Sequence, residues 1–316
     1  RVFVDMDYSG WTIVSDYDNT LTKVGEHLIA PYTRRAINYF ISHKGRFLIC
    51  TARVKVELDA YVKGLIRTNT PFIFCNGALI QNSVDGRVLY SKPLPSDFKS
   101  LTGEIIRRFP DLNVYVAAKD KLSLVNFAGY SERFLAELED FYGVKAGKTL
   151  RKKCDFELGA FRSWDVRESL DEIGGDYYKI MLQGLAERVT QAREFLEGQR
   201  FGHRYNICSS FPCNAEIVSG ATGKGAALRW LMRKSGLRNV VVLGDGENDV
   251  EMFAEGSFSI TPAVASSSAK NAADIVCGTK ENIMRRAIKL IEDNMMEDKG
   301  ERKSSQEEGR NTKAVS

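Results

Sequence analysis

Asp16 and Asp18 stand two residues apart at the end of an apolar run that begins at Trp11. In a segment that is still extended, side chains at i and i+2 point the same way, so both carboxylates face one crevice. A second acidic group comes much later, in Gly244-Asp245-Gly246-Glu247-Asn248-Asp249, again after an apolar run and just ahead of the apolar helical segment Val250-Glu251-Met252-Phe253. Its glycines let the backbone turn so that Asp245 and Asp249 aim their oxygens at one point. Four carboxylates gathered in one crevice repel one another unless a cation sits among them. Oxygen-only ligation with room for water points to Mg²⁺.

A carboxylate cluster with Mg²⁺ suits phosphoryl transfer, and that chemistry needs further positive charge. Two like unit charges about 4 Å apart repel by about 1 kcal/mol in water and about 4 kcal/mol at an effective dielectric of about 20, so a carboxylate attacking a phosphate dianion faces a large barrier alone. A lysine beside the metal lowers it. Lys224 lies between Gly223 and Gly225 at the start of a helical segment, and Thr51 ends another apolar run with a hydroxyl and a backbone N–H to offer. The lysine segment is not a Walker loop, because Gly225 follows the lysine in place of Ser or Thr and Val218 stands where the first glycine belongs.

These residues need strands to carry them. Four short apolar runs begin at Trp11, Arg46, Pro71 and Asn239, each breaking into small or polar residues. They read as buried strands of a parallel sheet. Between the first two, Ala36, Ile37 and Phe40 recur at helical spacing with Gly45 as a stop, and 54–67 is a second helical stretch. Alternating strand and helix makes the fold α/β, a Rossmann-like parallel-sheet core, and in such sheets ligands bind beyond the carboxyl ends of the strands. Asp16, Asp18, Thr51, Asn76, Asp245 and Asp249 all fall there. From about Asn82 the grammar changes to short strands (87–92, 113–118, 122–127, 177–183) interleaved with amphipathic stretches, then reverts after Val218. The expected organisation is a core in two parts, 1–81 and 219–296, an inserted α+β domain over 82–218, and a disordered polar tail over 297–316.

The motifs Asp16-Tyr17-Asp18-Asn19-Thr20, Thr51-Ala52-Arg53, Lys224 and Gly244-Asp245-Gly246-Glu247-Asn248-Asp249, in this order, resemble the four motifs of the haloacid dehalogenase (HAD) superfamily. Cys75-Asn76-Gly77-Ala78, Tyr178-Lys179-Ile180, Glu216-Ile217 and the closing 266–276 segment resemble its Cof-type branch, which has a large α/β cap inserted between the second and third motifs. Asn19 stands where that family usually has glycine, as in sucrose-phosphate phosphatases, while Asp-Tyr-Asp and Thr-Leu-Thr around it resemble trehalose-phosphate phosphatases. The resemblance implies Asp16 as a nucleophile that becomes an aspartyl-phosphate. Asp18 is implied as the acid that protonates the leaving oxygen and then activates water. It further implies Thr51, Ala52, Arg53, Lys224 and Asn248 around the phosphate, and Asn76 on the substrate side. Mg²⁺ would be held by Asp16, the Asp18 carbonyl, Asp245 and Asp249. The expected activity is Mg²⁺-dependent hydrolysis of small phosphorylated metabolites, sugar phosphates first. The alternatives are a hexose-phosphate phosphomutase using the same aspartyl-phosphate, and a binding protein that kept the fold.

The substrate is less legible than the chemistry. Arg151-Lys152-Lys153 reads as a solvated basic turn, and Trp164 and Tyr177-Tyr178 as core of the cap. Cap movement is expected about hinges near Gln81 to Ser83 and Val218 to Gly220.

Composition narrows the rest. Among 316 residues, 45 Lys and Arg against 41 Asp and Glu leave a net charge of +4, far below what a dedicated nucleic-acid binder carries. No apolar run reaches the roughly 18–20 residues of a membrane span. The partner is therefore a small phosphorylated molecule, with no nucleic acid and no membrane, and the chain is expected as a monomer or homodimer. Six scattered cysteines fit reduced thiols and a cytoplasmic location, although Arg1 leaves room for a preceding targeting segment. Cys208, Cys213 and His203 lack the spacing and the fourth ligand of a zinc site.

Overall fold

A computed structural model describes residues 6–23, 26–142, 165–198, 203–278 and 282–297. The chain runs from β1 (Thr12–Ser15) through α1 (Pro31–Ser42) to β2 (Arg46–Ile49), then through α2 (Lys55–Val62) to β3 (Phe72–Phe74), β4 (Leu79–Gln81) and β5 (Val88–Ser91). Next come α3 (Phe98–Arg108), β6 (Asn113–Ala118), β7 (Leu122–Asn126), α4 (Glu132–Tyr142), β8 (Asp165–Arg167), β9 (Tyr177–Gln183), α5 (Ala186–Glu197), β10 (Tyr205–Cys208) and β11 (Asn214–Ser219). It returns with α6 (Lys224–Ser235), β12 (Val240–Leu243), α7 (Val250–Phe253), β13 (Phe258–Pro262), α8 (Ser267–Ala272), β14 (Ile275–Cys277) and a last helix, α9, over 283–297.

The fold is α/β, with a five-stranded core sheet in the order β14-β13-β12-β1-β2, every pair parallel. β1 and β12 are buried along their whole length, which is why neither alternates apolar with polar residues. Their in-register pairing, Ser15 opposite Leu243, brings the acidic segments that follow them to the same edge of the sheet. α1 starts on Pro31, whose missing N–H costs nothing in the first turn, and buries Thr33, Ile37 and Phe40.

One expectation is corrected. The run at Pro71 is not a ladder strand of the parallel sheet. β3 touches the edge near β2 through a single bridge, Cys50 to Ile73, and pairs with β4 in an antiparallel sheet of β3, β4 and β5. Side chains occupy the groups of β2 that a further strand would use: Asn69 Oδ1 accepts from the Phe47 N–H at 3.2 Å, and the Thr70 hydroxyl donates to the Phe47 carbonyl. Past the hinge expected at 81–83 the chain stays with the β3-β4-β5 sheet before it joins β9. Residues 82–87 turn the β4–β5 hairpin, the Lys92 N–H still bonds the Ala78 carbonyl, and the Leu94 N–H already bonds Tyr177 of β9.

The cap sheet has the order β10-β11-β9-β6-β7-β8, antiparallel except for β7 with β8. Alternation along its strands serves two cores. Val114, Val116, Ile180, Leu182 and Ile217 pack with α3 and α5, while Tyr115, Ala117 and Met181 join the cluster beneath, with β1, β2 and β12. Tyr177 and Tyr178 are buried, one in each cluster. Arg151-Lys152-Lys153, Trp164 and the tail beyond Glu297 lie outside the described residues. Of the cysteines, Cys50, Cys75, Cys208 and Cys213 are free thiols. No helix among the described residues is long and apolar enough to cross a membrane.

Candidate active site

Asp16 leaves β1 with its N–H still bonded to the Leu243 carbonyl, so its side chain stands where β1 and β12 end. Lys224, the first residue of α6, reaches it: Nζ donates to Asp16 Oδ1 at 2.6 Å and to Asp249 Oδ1 at 2.7 Å. All three side chains are buried, Lys224 at 2% exposure. The other Asp249 oxygen accepts from the N–H groups of Asp245 and Gly246, both at 2.9 Å, which folds the acidic turn around it. A side chain at Gly244 would collide with Asp249, so this close turn requires glycine there. The Thr20 hydroxyl donates to Asp245 Oδ1 at 2.6 Å and fixes the third carboxylate.

Ligand oxygens of Asp16, Asp245 and Asp249 lie within 4.8 Å of one another. One ammonium thus faces three carboxylates, and the imbalance marks their ionisation. Burial pushes Asp16 well above the ordinary carboxylate range, with repulsion from Asp249, Asp245 and Asp18 adding to it and Lys224 pulling the other way. Burial, then Asp249, raises Asp245 to about 7 against the Thr20 hydrogen bond and Lys224. Hard oxygen donors crowded into surplus negative charge fit a divalent cation of the Mg²⁺ type.

Asp18 is held differently. Arg53 grips it with both ends of its guanidinium, Nε to Oδ2 at 2.8 Å and Nη2 to Oδ1 at 2.7 Å. Burial pulls the Asp18 carboxyl up, yet Arg53 overcomes it and holds the group below its ordinary value. Arg53 lies over the rings of Tyr17 and Tyr61, 5.9 and 5.3 Å from their centres, with His27 Nδ1 3.2 Å from Nη2. Asn19 sits in the left-handed region, φ 58°, with its N–H on the Thr22 hydroxyl. That explains the departure at this position: the turn needs positive φ, and Asn tolerates it best after Gly.

The remaining predicted residues meet at the cap boundary. Thr51 is fully buried, its carbonyl accepting from the Asn76 N–H at 3.1 Å and its hydroxyl from the Arg53 N–H at 3.1 Å. Cys75 and Asn76 are both left-handed, φ 50° and 51°, followed by Gly77 at φ +93°, where a Cβ would strike the Gly223 carbonyl just before Lys224. Asn76 is thereby aimed two ways. Its Oδ1 accepts from Asn248 Nδ2 at 3.1 Å, and its Nδ2 donates to Glu216 at 2.8 Å. The Ala52 carbonyl accepts from Lys179 at 2.7 Å. Arg53, expected around the phosphate, bonds Asp18 in this structure. Thr20, signalled in the sequence only by its place two residues after Asp18, carries no expected role there, nor do Lys179 and Glu216.

A family model described as haloacid dehalogenase-like hydrolase matches residues 13–283. Among curated proteins, one of Haemophilus influenzae, which carries the provisional name of a phosphatase, is 24% identical over 270 residues, 84% of this chain and 92% of its own. Among solved structures, a haloacid dehalogenase-like hydrolase from Bacillus subtilis superposes with a TM-score of 0.71 at 19% identity, covering 86% of this chain and 97% of that one. A sugar phosphatase of HAD subclass IIB gives 0.65 at 17%, covering 88% and 98%. These likenesses show the same core-and-cap fold.

Proposed function

We propose that the chain, which belongs to the haloacid dehalogenase-like hydrolases and is an enzyme of that family, is a Mg²⁺-dependent phosphatase of small phosphorylated metabolites. Sugar phosphates are the favoured class, in keeping with the subclass IIB sugar phosphatase of the same fold. The observation that carries the reading is the single buried lysine shared by Asp16 and Asp249 beside a third carboxylate on Asp245. Asp16, Asp245 and Asp249, with the Asp18 carbonyl, would hold Mg²⁺, which when bound neutralises charge on the phosphoryl oxygens and polarises them.

The chain's own residues do the rest. Lys224 occupies Asp16 Oδ1 and leaves the second oxygen free to attack phosphorus. A bond forms from Asp16 to phosphorus as the ester bond to the leaving oxygen breaks. Thr51 and Asn248 donate to the phosphoryl oxygens, and Lys224 offsets their charge. Asp18 delivers the proton that the leaving oxygen takes up. It then removes one from a water that attacks the aspartyl-phosphate, releasing inorganic phosphate and restoring Asp16. Asp18 must let go of Arg53 to do this, because a carboxylate held by two guanidinium bonds stays ionised.

A panel of phosphorylated metabolites incubated with Mg²⁺ tests the reading. Phosphate release that EDTA and Asp16→Asn both abolish is expected. Release that persists in the Asp16→Asn protein would overturn it.

A further inference from the structure

One buried ion pair has no part in that scheme. Lys179 of β9 and Glu216 of β11 are 4% and 2% exposed, and their side chains meet at 2.6 Å. Glu216 lies opposite Met181 in the ladder, so Lys179 is its diagonal neighbour on the face turned to the core. Burial pulls the Lys179 ammonium down, but Glu216, with smaller help from Glu57 and Cys75, pushes it up to about 12. Lys179 is therefore charged at neutral pH.

Each end of the pair also reaches a loop of the core. Lys179 Nζ donates to the Ala52 carbonyl at 2.7 Å, and the N–H of that same peptide, on Arg53, donates to the Thr51 hydroxyl at 3.1 Å. The second Glu216 oxygen accepts from Asn76 Nδ2 at 2.8 Å, and Asn76 Oδ1 accepts from Asn248 Nδ2 at 3.1 Å. Ser210 of the cap adds a bond to that oxygen at 3.2 Å. Both lines from the ion pair thus end on a phosphate donor, Thr51 on one side and Asn248 on the other. Stability alone gives little reason for such a pair, since apolar residues often replace buried ion pairs without loss.

We infer that Lys179 and Glu216 are positioning residues, through which the cap fixes the Thr51 hydroxyl and the Asn248 amide at the phosphate. The cap then completes the phosphate site as well as covering it. The inference rests on the phosphatase reading, and it differs from a leaving-group contact in one way. A pair that sets phosphate donors matters equally for every ester and for phosphate itself.

The test uses the full chain with Lys179→Met, Glu216→Gln and Lys179→Arg. It measures kcat/KM for 4-nitrophenyl phosphate and for a hexose phosphate, and the affinity for inorganic orthophosphate with Mg²⁺ by calorimetry. Lys179→Met and Glu216→Gln are expected to lower kcat/KM by about 10–100-fold, by the same factor for both esters, as misplacement by a distant change does. Orthophosphate binding should weaken severalfold alongside, and Lys179→Arg should recover part of both losses. Unchanged orthophosphate affinity in the variants, or a loss confined to one ester, would overturn the inference and leave the phosphatase reading intact. A wild-type protein that neither turns over an ester nor binds orthophosphate would overturn both. If Lys179→Met does not fold, Glu216→Gln and Lys179→Arg decide the matter.

Discussion

Lys224 in the core and Lys179 in the cap are buried to almost the same degree, 2% and 4% exposed, yet the charge around them differs. Lys224 faces Asp16 and Asp249 directly, with Asp245 beside them, so its surroundings carry surplus negative charge. Lys179 bonds one carboxylate, Glu216, and a backbone carbonyl, with Glu57 acting on it more weakly, so the bonded pair is balanced. A balanced buried pair is complete within the chain. An unbalanced cluster can take up from outside what it lacks, and in the proposed function a divalent cation with a phosphate ester supplies it. On that reading the core cluster receives, and the cap pair holds the receiver in shape.

The comparison breaks most sharply at Asp16. Asp16→Asn removes the attacking oxygen and is expected to lower phosphate release by about 10⁴-fold or more, read as kcat in a continuous phosphate assay. Lys224→Met is expected to cost about 10²–10³-fold, as loss of a preorganised electrostatic partner does, clearly more than Lys179→Met in the same assay. Equal losses from the two lysines would erase the distinction.

Acidity sharpens it. A carboxyl raised to about 7, as Asp245 is, keeps its proton below that pH, and a metal ligand must shed it. Mg²⁺ affinity by calorimetry should therefore rise with pH and fall by about tenfold per unit or more below pH 7, since Asp16 is raised as well, with proton release on binding. The smallest effect is one of sign. Because its folded value is raised, ionising Asp245 costs stability as pH rises from the ordinary carboxylate range through about 7. In EDTA at pH 8, Asp245→Asn should raise the melting temperature by about 2–4 °C, whereas Glu216→Gln, which unbalances a neutral pair, should lower it. At pH 5 the Asp245→Asn gain should shrink, and below about pH 4 it should vanish.

Much of the receiving cluster is legible without the structure, since the period of an extended strand and the glycines of one turn suffice to aim Asp16 and Asp249 together. β1, β2 and β12 are legible as short runs rich in apolar residues. β13 is not, because Ser259, Thr261 and Pro262 look unlike a buried strand until their bonds are seen. Ser259 bonds to Asp274, and the Thr261 hydroxyl to the Gly244 carbonyl at 2.8 Å. The cap pair is illegible for another reason. Lys179 and Glu216 are far apart in sequence and meet only through a strand register that nothing local sets. Arg53 shows the same limit, as its residue type suits phosphate and carboxylate alike and only the geometry chooses Asp18.

The claim that Asp16 is the nucleophile of the receiving cluster is tested most directly by acid-quenching the enzyme during turnover of an aryl phosphate with Mg²⁺. The peptide that contains Asp16 is then weighed by mass spectrometry. One phosphoryl group on Asp16, present in the wild type and missing in Asp16→Asn, is the expected result. A phosphoryl group on another residue, or full turnover by Asp16→Asn, would contradict it.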